Sequence, residues 1–124
     1  MTDHQTGDIP TGLPRDYLRP CLLLLLAEGP SHGYDLVQRA ARMGWENADV
    51  GGLYRSLRSM EQEGLIESVW QPPRAGPARR TYALAAGGVA WLRGWARTAR
   101  QTNDLFAAFF ERYEALAEQP ATRA

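Results

Sequence analysis

The sequence predicts a mainly α protein with one small β-hairpin (α+β). Three observations carry that prediction. Three helix-like segments follow one another between residues 15 and 64, parted by glycine, proline and serine. Two short strand-like runs, Leu65–Gln71 and Arg79–Leu84, flank Pro72-Pro73-Arg74-Ala75-Gly76-Pro77, where three prolines and a glycine cannot sit inside a ladder. After Leu84 an apolar heptad repeat runs on for four repeats.

Met1 to about Pro14 is polar, punctuated by glycine and proline, and reads as a mobile tail. A first helix is expected from about Arg15 to Glu28. It carries Tyr17, Leu18 and the run Cys21–Leu26, apolar nearly all round, and is therefore the central buried helix. Gly29-Pro30 ends it, and Ser31 is placed to cap a second helix reaching about Met43, with Tyr34, Val37, Ala41 and Met43 on the inward side. A link from Gly44 through Trp45 to Ala48 leads to a third helix capped by Asp49 and stopped by Gly64 as its left-handed C′ residue. Leu53, Leu57 and Met60 form its apolar stripe; Gly51, Arg55, Arg58, Ser59 and Gln62 fall on the opposite face. Three helices followed by a hairpin is the order of a winged helix-turn-helix, in which the third helix reads the major groove and the hairpin touches flanking backbone. The expected domain spans residues 15–85, followed by a helix over 86–118 and a tail over 119–124.

In that last helix Leu92, Ala99, Phe106 and Tyr113 are spaced by seven, and Trp95, Thr102, Phe109 and Leu116 lie three residues on from each. Trp91, Leu105 and Phe110 widen the apolar face. A chain this small has nothing left to cover it, so a twofold homodimer is expected, with Leu92, Trp95, Ala99, Phe106, Phe109, Tyr113 and Leu116 in the seam. The polar stretch Gln101–Asp104 interrupts the pattern and leaves open whether the helix continues, kinks or breaks there.

Composition narrows the function classes. The 124 residues suit one domain, 44% are hydrophobic, and 14 basic side chains balance 14 acidic ones. Zero net charge argues against binding nucleic acid by bulk charge alone. Every basic residue is arginine, which suits bidentate contacts to phosphate and guanine, though GC-rich coding would give the same bias. The lone cysteine, Cys21, excludes an internal disulfide and any Cys-Cys metal spacing, and reads as a small buried hydrophobe. The run Leu22–Leu26 is far shorter than the ~20 residues of a membrane span, and no signal-like segment precedes it, so a cytoplasmic protein without membrane association is expected. His32 has no ligand partner at metal spacing apart from Asp35 and is expected to pack against the first helix. No phosphate loop, metal set or nucleophile–base pair appears; the reading is not an enzyme, with no catalytic residues, metal or cofactor.

Taken together, His32-Gly33-Tyr34-Asp35-Leu36, Gly51-Gly52-Leu53-Tyr54-Arg55-Ser56-Leu57, Glu63-Gly64-Leu65-Ile66 and Arg79-Arg80-Thr81-Tyr82-Ala83-Leu84 with Gly88 resemble the PadR family of bacterial transcriptional regulators in its short form. The resemblance covers about residues 15–95. Two departures stand out: Gly52 replaces the usual threonine or serine, and Ala85-Ala86 replace threonine and glutamate after the second strand. The resemblance implies a dimeric repressor with two winged helices on one double-stranded operator, released by a small molecule or another signal. Pro20-Cys21-Leu22 with Gly76-Pro77-Ala78-Arg79-Arg80 looks most like the subgroup described as polyhydroxybutyrate-responsive.

The DNA-contacting set expected from the residues and the resemblance is Gly51, Gly52, Tyr54, Arg55, Arg58, Ser59, Arg74, Arg79 and Arg80. Only the first half of the third helix, through about Ser59, has the chemistry for DNA; Glu61 and Glu63 should point away from phosphates. Plainer alternatives are a half-buried structural Tyr54, and Arg58 paired with Glu61 or Glu63 at helical spacing. Arg79 and Arg80 alternate in direction, so at most one reaches DNA on a given face. Trp91 and Trp95, one turn apart, are the effector candidates, with plain dimer packing as the alternative. Two rival functions remain: a winged-helix protein-interaction module, favoured by zero net charge and Gly52, and a ligand-binding dimer without DNA binding, built on the dimer pocket alone.

Overall fold

In the computed structural model the elements follow the order α1 (Leu18–Ala27), β1 (Ser31–His32), α2 (Gly33–Ala40), α3 (Val50–Gln62), β2 (Ile66–Gln71), β3 (Arg79–Leu84) and α4 (Ala86–Ala117). The structure describes residues 16–45, 49–71 and 79–119. The expected N-terminal tail, the proline-rich loop with Arg74 and Gly76 to Ala78, and residues 120–124 of the C-terminal tail lie outside them. Among the described residues the fold is four α-helices with a small antiparallel sheet, matching the α+β expectation.

Helix α1 is the buried centre, as its composition requires: Cys21, Leu22, Leu23, Leu25 and Leu26 are all in the core, with Leu24 and Ala27 turned outward. It starts at Leu18 rather than near residue 15, and Arg39 from α2 closes its far end by donating to the Leu25 carbonyl at 3.0 Å and the Glu28 carboxylate at 3.1 Å. A cation placed there adds a second donor to a last-turn carbonyl and complements the helix dipole.

The next element differs from expectation. Ser31 does not cap α2. With His32 it forms β1, which pairs antiparallel with β3 (Ser31 opposite Tyr82, His32 opposite Thr81), so the hairpin becomes a three-stranded sheet in the order β1-β3-β2. The Ser31 side chain is buried beside the pairing instead of reaching into the first turn, and the Thr81 hydroxyl and His32 Nδ1 hydrogen-bond at 3.1 Å. His32 thus meets β3, where packing on the first helix was expected. Helix α2 turns Gly33, Leu36 and Ala40 inward. Of the residues expected there, Val37, Ala41 and Met43 are only half-buried, and Tyr34 is 68% exposed. The helical path does not run evenly to Met43: past Ala40 it kinks within Ala41–Trp45, where Gly44 takes φ 107°, a turn conformation that favours glycine. That turn drives Trp45 into the core against Tyr17, so the segment expected as a polar link opens with a buried indole.

Helix α3 behaves as its sequence dictates. The Asp49 carboxylate accepts from the Gly51 N–H at 3.0 Å, and Leu53, Leu57 and Met60 are buried. Gly64 at φ 81° ends the helix, with its N–H on the Glu61 carbonyl and the Leu65 N–H on the Met60 carbonyl, a Schellman motif whose apolar partners Met60 and Leu65 are both in the core. Strands β2 and β3 pair from Ile66–Leu84 to Gln71–Arg79. Ile66, Ser68 and Trp70 therefore share one face with Arg80, Tyr82 and Leu84.

The chain divides into two compact units, residues 1–92 and 93–124. Within the first, Trp91 and Leu92 pack against the core. Helix α4 is continuous through Gln101–Asp104, so the polar stretch neither kinks nor breaks it. In the second unit Leu105, Phe106, Phe109, Phe110, Tyr113 and Leu116 are all about half or more exposed. Phe109 stacks on Tyr113 at 6.4 Å and meets Phe110 edge-on at 5.4 Å.

Candidate nucleic-acid interface

The site is built on the exposed side of α3 and the sheet face that adjoins it. At the helix start Asp49 does two things: it caps the first turn and accepts from Arg55 at 3.1 Å. A side chain at Gly52 would meet this pair, its Cβ lying 3.2 Å from Asp49 Oδ2 and 3.4 Å from an Arg55 nitrogen. The space that a threonine or serine would occupy is therefore taken by an ion pair. Both partners are solvent-exposed, so the pair is weak, worth at most about 1 kcal/mol, and Arg55 can leave it for a phosphate. Tyr54 stands at the flank of α3, partly exposed, against Gly33. A Cβ on Gly33 would come within 2.7 Å of the Tyr54 ring and 2.8 Å of its hydroxyl, so the glycine makes room for the phenol.

Arg58, one turn further on, is exposed and makes no ion pair or hydrogen bond among the described residues. Its expected rivals are engaged elsewhere. Arg19 of α1 grips Glu63 through both carboxylate oxygens, at 2.8 and 2.9 Å, and the Ser59 hydroxyl donates to the same carboxylate at 3.1 Å. The Arg19 and Ser59 hydrogen bonds pull the Glu63 carboxyl down from 4.5 to about 2. Ser59, expected to face DNA, is thus committed to fastening α3 onto α1. Arg19 also lies 5.8 Å from the centre of the Trp91 ring.

Glu61 turns the other way. It accepts from the Ser68 hydroxyl at 2.7 Å and from Arg80 at 3.4 Å, while Arg80 Nε donates to the same hydroxyl at 2.9 Å. The Arg80 guanidinium rests over Trp70 at 5.4 Å and Tyr82 at 6.0 Å. Burial raises the Tyr82 phenol above its ordinary value, with Arg80 opposing part of that rise. Arg80 therefore ties sheet to helix, whereas Arg79, exposed at the start of β3 and lining the same cleft, has no ion pair among the described residues.

Between the start of α2, α3 and the sheet lies an open cleft of about 880 Å3, lined by Tyr34, Tyr54, Arg58, Trp70, Arg79 and Tyr82 among others. Of the expected contacts, Tyr54, Arg58, Arg79 and Arg80 are gathered there; Gly51, Gly52 and Arg55 sit at the helix start. The sequence reading missed Tyr34, Trp70 and Tyr82. The period of two was the available signal for the last two: once Arg80 is placed inward, Tyr82 follows on the same strand and Trp70 opposite it. Among the described residues no cluster of histidine, cysteine and carboxylates could hold a metal ion, and no helix is long and apolar enough to cross a membrane.

Comparison with known proteins gives this geometry a context. No curated protein sequence matches the chain. A solved conserved protein of unknown function, described as a potential transcriptional factor, superimposes with a TM-score of 0.76 at 30% identity, over 87% of this chain and 96% of that one. A PadR family transcription regulator from hypervirulent Clostridium difficile R20291 gives 0.69 at 22% identity, over 76% and 98%. Bacillus subtilis PadR, solved in complex with operator DNA, gives 0.59 at 24% identity over 67% of this chain, the match spanning only 48% of that protein. Residues 22–93, more than half of the sequence and spanning α1 to the start of α4, match the family model of the transcriptional regulator PadR-like family. The chain belongs to the PadR-like family of transcriptional regulators.

Proposed function

We propose that this regulator binds double-stranded operator DNA sequence-specifically as a homodimer, with α3 in the major groove and the β2–β3 wing on the flanking backbone. The observation that carries the reading is the surface of α3 and β3 itself, where Arg58 and Arg79 are exposed and uncommitted beside a capped helix start. The complex of Bacillus subtilis PadR with operator DNA supports it by fold likeness. In this reading Arg58 and Arg55 contact bases or phosphates, Gly51 and Gly52 let the helix start approach the backbone, and Tyr54 and Arg79 hold phosphates. Arg80 positions the wing. Arg74, which lies outside the described residues, is assigned a further backbone contact. The exposed rings from Phe106 to Tyr113 are buried against a second copy, and two such units on one site act as a repressor. A small-molecule effector or another signal relieves that repression.

Mobility-shift titration against the promoter region of the protein's own gene tests the reading. Retention that falls with salt and is lost on a scrambled duplex is expected. No retention at low salt would favour a protein-interaction module or a ligand-binding dimer instead.

A further inference from the structure

The cleft beside α3 is poor in charge for a surface that meets DNA. Arg58, Arg79 and Arg80 line it, but so do Asp35 and Glu61, a surplus of one positive charge, in a chain whose net charge is zero. Affinity for DNA built on phosphate neutralisation grows with the number of counterions released, and this cleft can release few. Its surface is aromatic instead. Trp70 is 64% exposed and Tyr34 is 68% exposed, although tryptophan is among the side chains that gain most from burial. Trp70 is also held still. The Arg80 guanidinium lies over its ring, and Arg80 is itself anchored by Ser68 and Glu61. An exposed indole fixed from one side has already lost the rotamer freedom that docking would otherwise cost it.

We infer that Trp70 is a DNA-contacting residue: its free ring face packs on the deoxyribose edge of the operator strand that flanks the α3 groove, and supplies a part of the affinity that salt does not weaken. The inference rests on the DNA-binding reading above. The occupant is DNA because the ring is continuous with that surface and shares the cleft with Arg58 and Arg79, placed to hold the same strand by its phosphates. An aromatic wing contact of this kind reads the shape and deformability of the flank more than its base edges.

Fluorescence anisotropy on a labelled operator duplex, titrated across NaCl concentrations with wild type, Trp70→Ala, Trp70→Phe and Arg79→Ala, separates the two ideas. Trp70→Ala is expected to weaken binding about tenfold at every salt concentration with an unchanged salt slope. Trp70→Phe should stay within about threefold of wild type, and Arg79→Ala should lower the slope by ~1 for each protomer's lost contact. Wild-type binding with Trp70→Ala indistinguishable from it overturns the inference and leaves DNA binding intact; no wild-type binding overturns the underlying reading. If Trp70→Ala does not fold, acrylamide quenching of Trp70, read as wild type minus Trp70→Phe, decides. Protection on adding duplex supports the contact, and unchanged quenching overturns it.

Discussion

Glu63, Cys21 and Trp45 show how far single residues govern this molecule. The Arg19 and Ser59 hydrogen bonds hold the Glu63 carboxyl at about 2, below its ordinary 4.5. A depressed carboxylate stabilises the folded state above its unfolded pKa, and the contribution disappears as pH falls through 4.5 toward 2. Thermal midpoints of wild type should therefore exceed those of Glu63→Gln near neutrality, and the gap should close across that acidic window; the carboxylate is about half exposed, so solvent screening keeps the gap small. The Cys21 thiol is 1% exposed and burial pushes its pKa up, with Trp45 and Tyr17 opposing part of that rise. In the native protein at pH 8 it should react with a thiol-specific chromogenic disulfide at least a hundredfold more slowly than in urea, because both access and thiolate are suppressed. At this scale sequence legibility was uneven. Cys21 was readable because a cysteine inside Leu22–Leu26 has nowhere to go but the core. Trp45 and Tyr34 were not: a kink at Gly44 re-aims one inward, and helix phase set by Leu36 and Ala40 turns the other outward.

Elements were most legible where their ends carry their own chemistry. Helix α3 was readable from cap to stop, since Asp49 and Gly64 act through local hydrogen bonds that neighbours do not override. Strand β1 was invisible, because two residues carry no periodicity and exist as a strand only through pairing with Tyr82 and Thr81. Space is tight at the junction of α3, β2 and α4. A Cβ at Gly88 would overlap the Leu65 carbonyl oxygen and lie 2.6 Å from Leu84 Cδ1. A backbone obstacle cannot swing away, so Gly88→Ala should cost about 2 kcal/mol despite alanine's higher helix propensity, readable as a lower urea midpoint. Gly33→Ala meets only the end of the Tyr54 side chain. It should be nearly neutral for stability while displacing Tyr54 from its place beside α3.

For the whole molecule, the long helix was legible as one face of heptads, and its continuity through Gln101–Asp104 was not, because polar residues at exposed positions leave helix propensity intact. The proposed dimer follows from the apolar rings that face lays open. Phe109, 60% exposed and in contact with both Phe110 and Tyr113, is at the centre of the patch. Sedimentation should show a dimer at micromolar concentration, and Phe109→Arg should weaken association about thirtyfold or more without unfolding the chain. The central claim is that α3 and the wing of this neutral protein hold operator DNA through a few placed arginines. Arg58→Ala tests it most directly, with affinity for the promoter duplex measured against salt. A reduced affinity and a log–log salt slope shallower by ~1 for each protomer's lost contact are predicted; an Arg58→Ala protein matching wild type in both quantities would contradict the account.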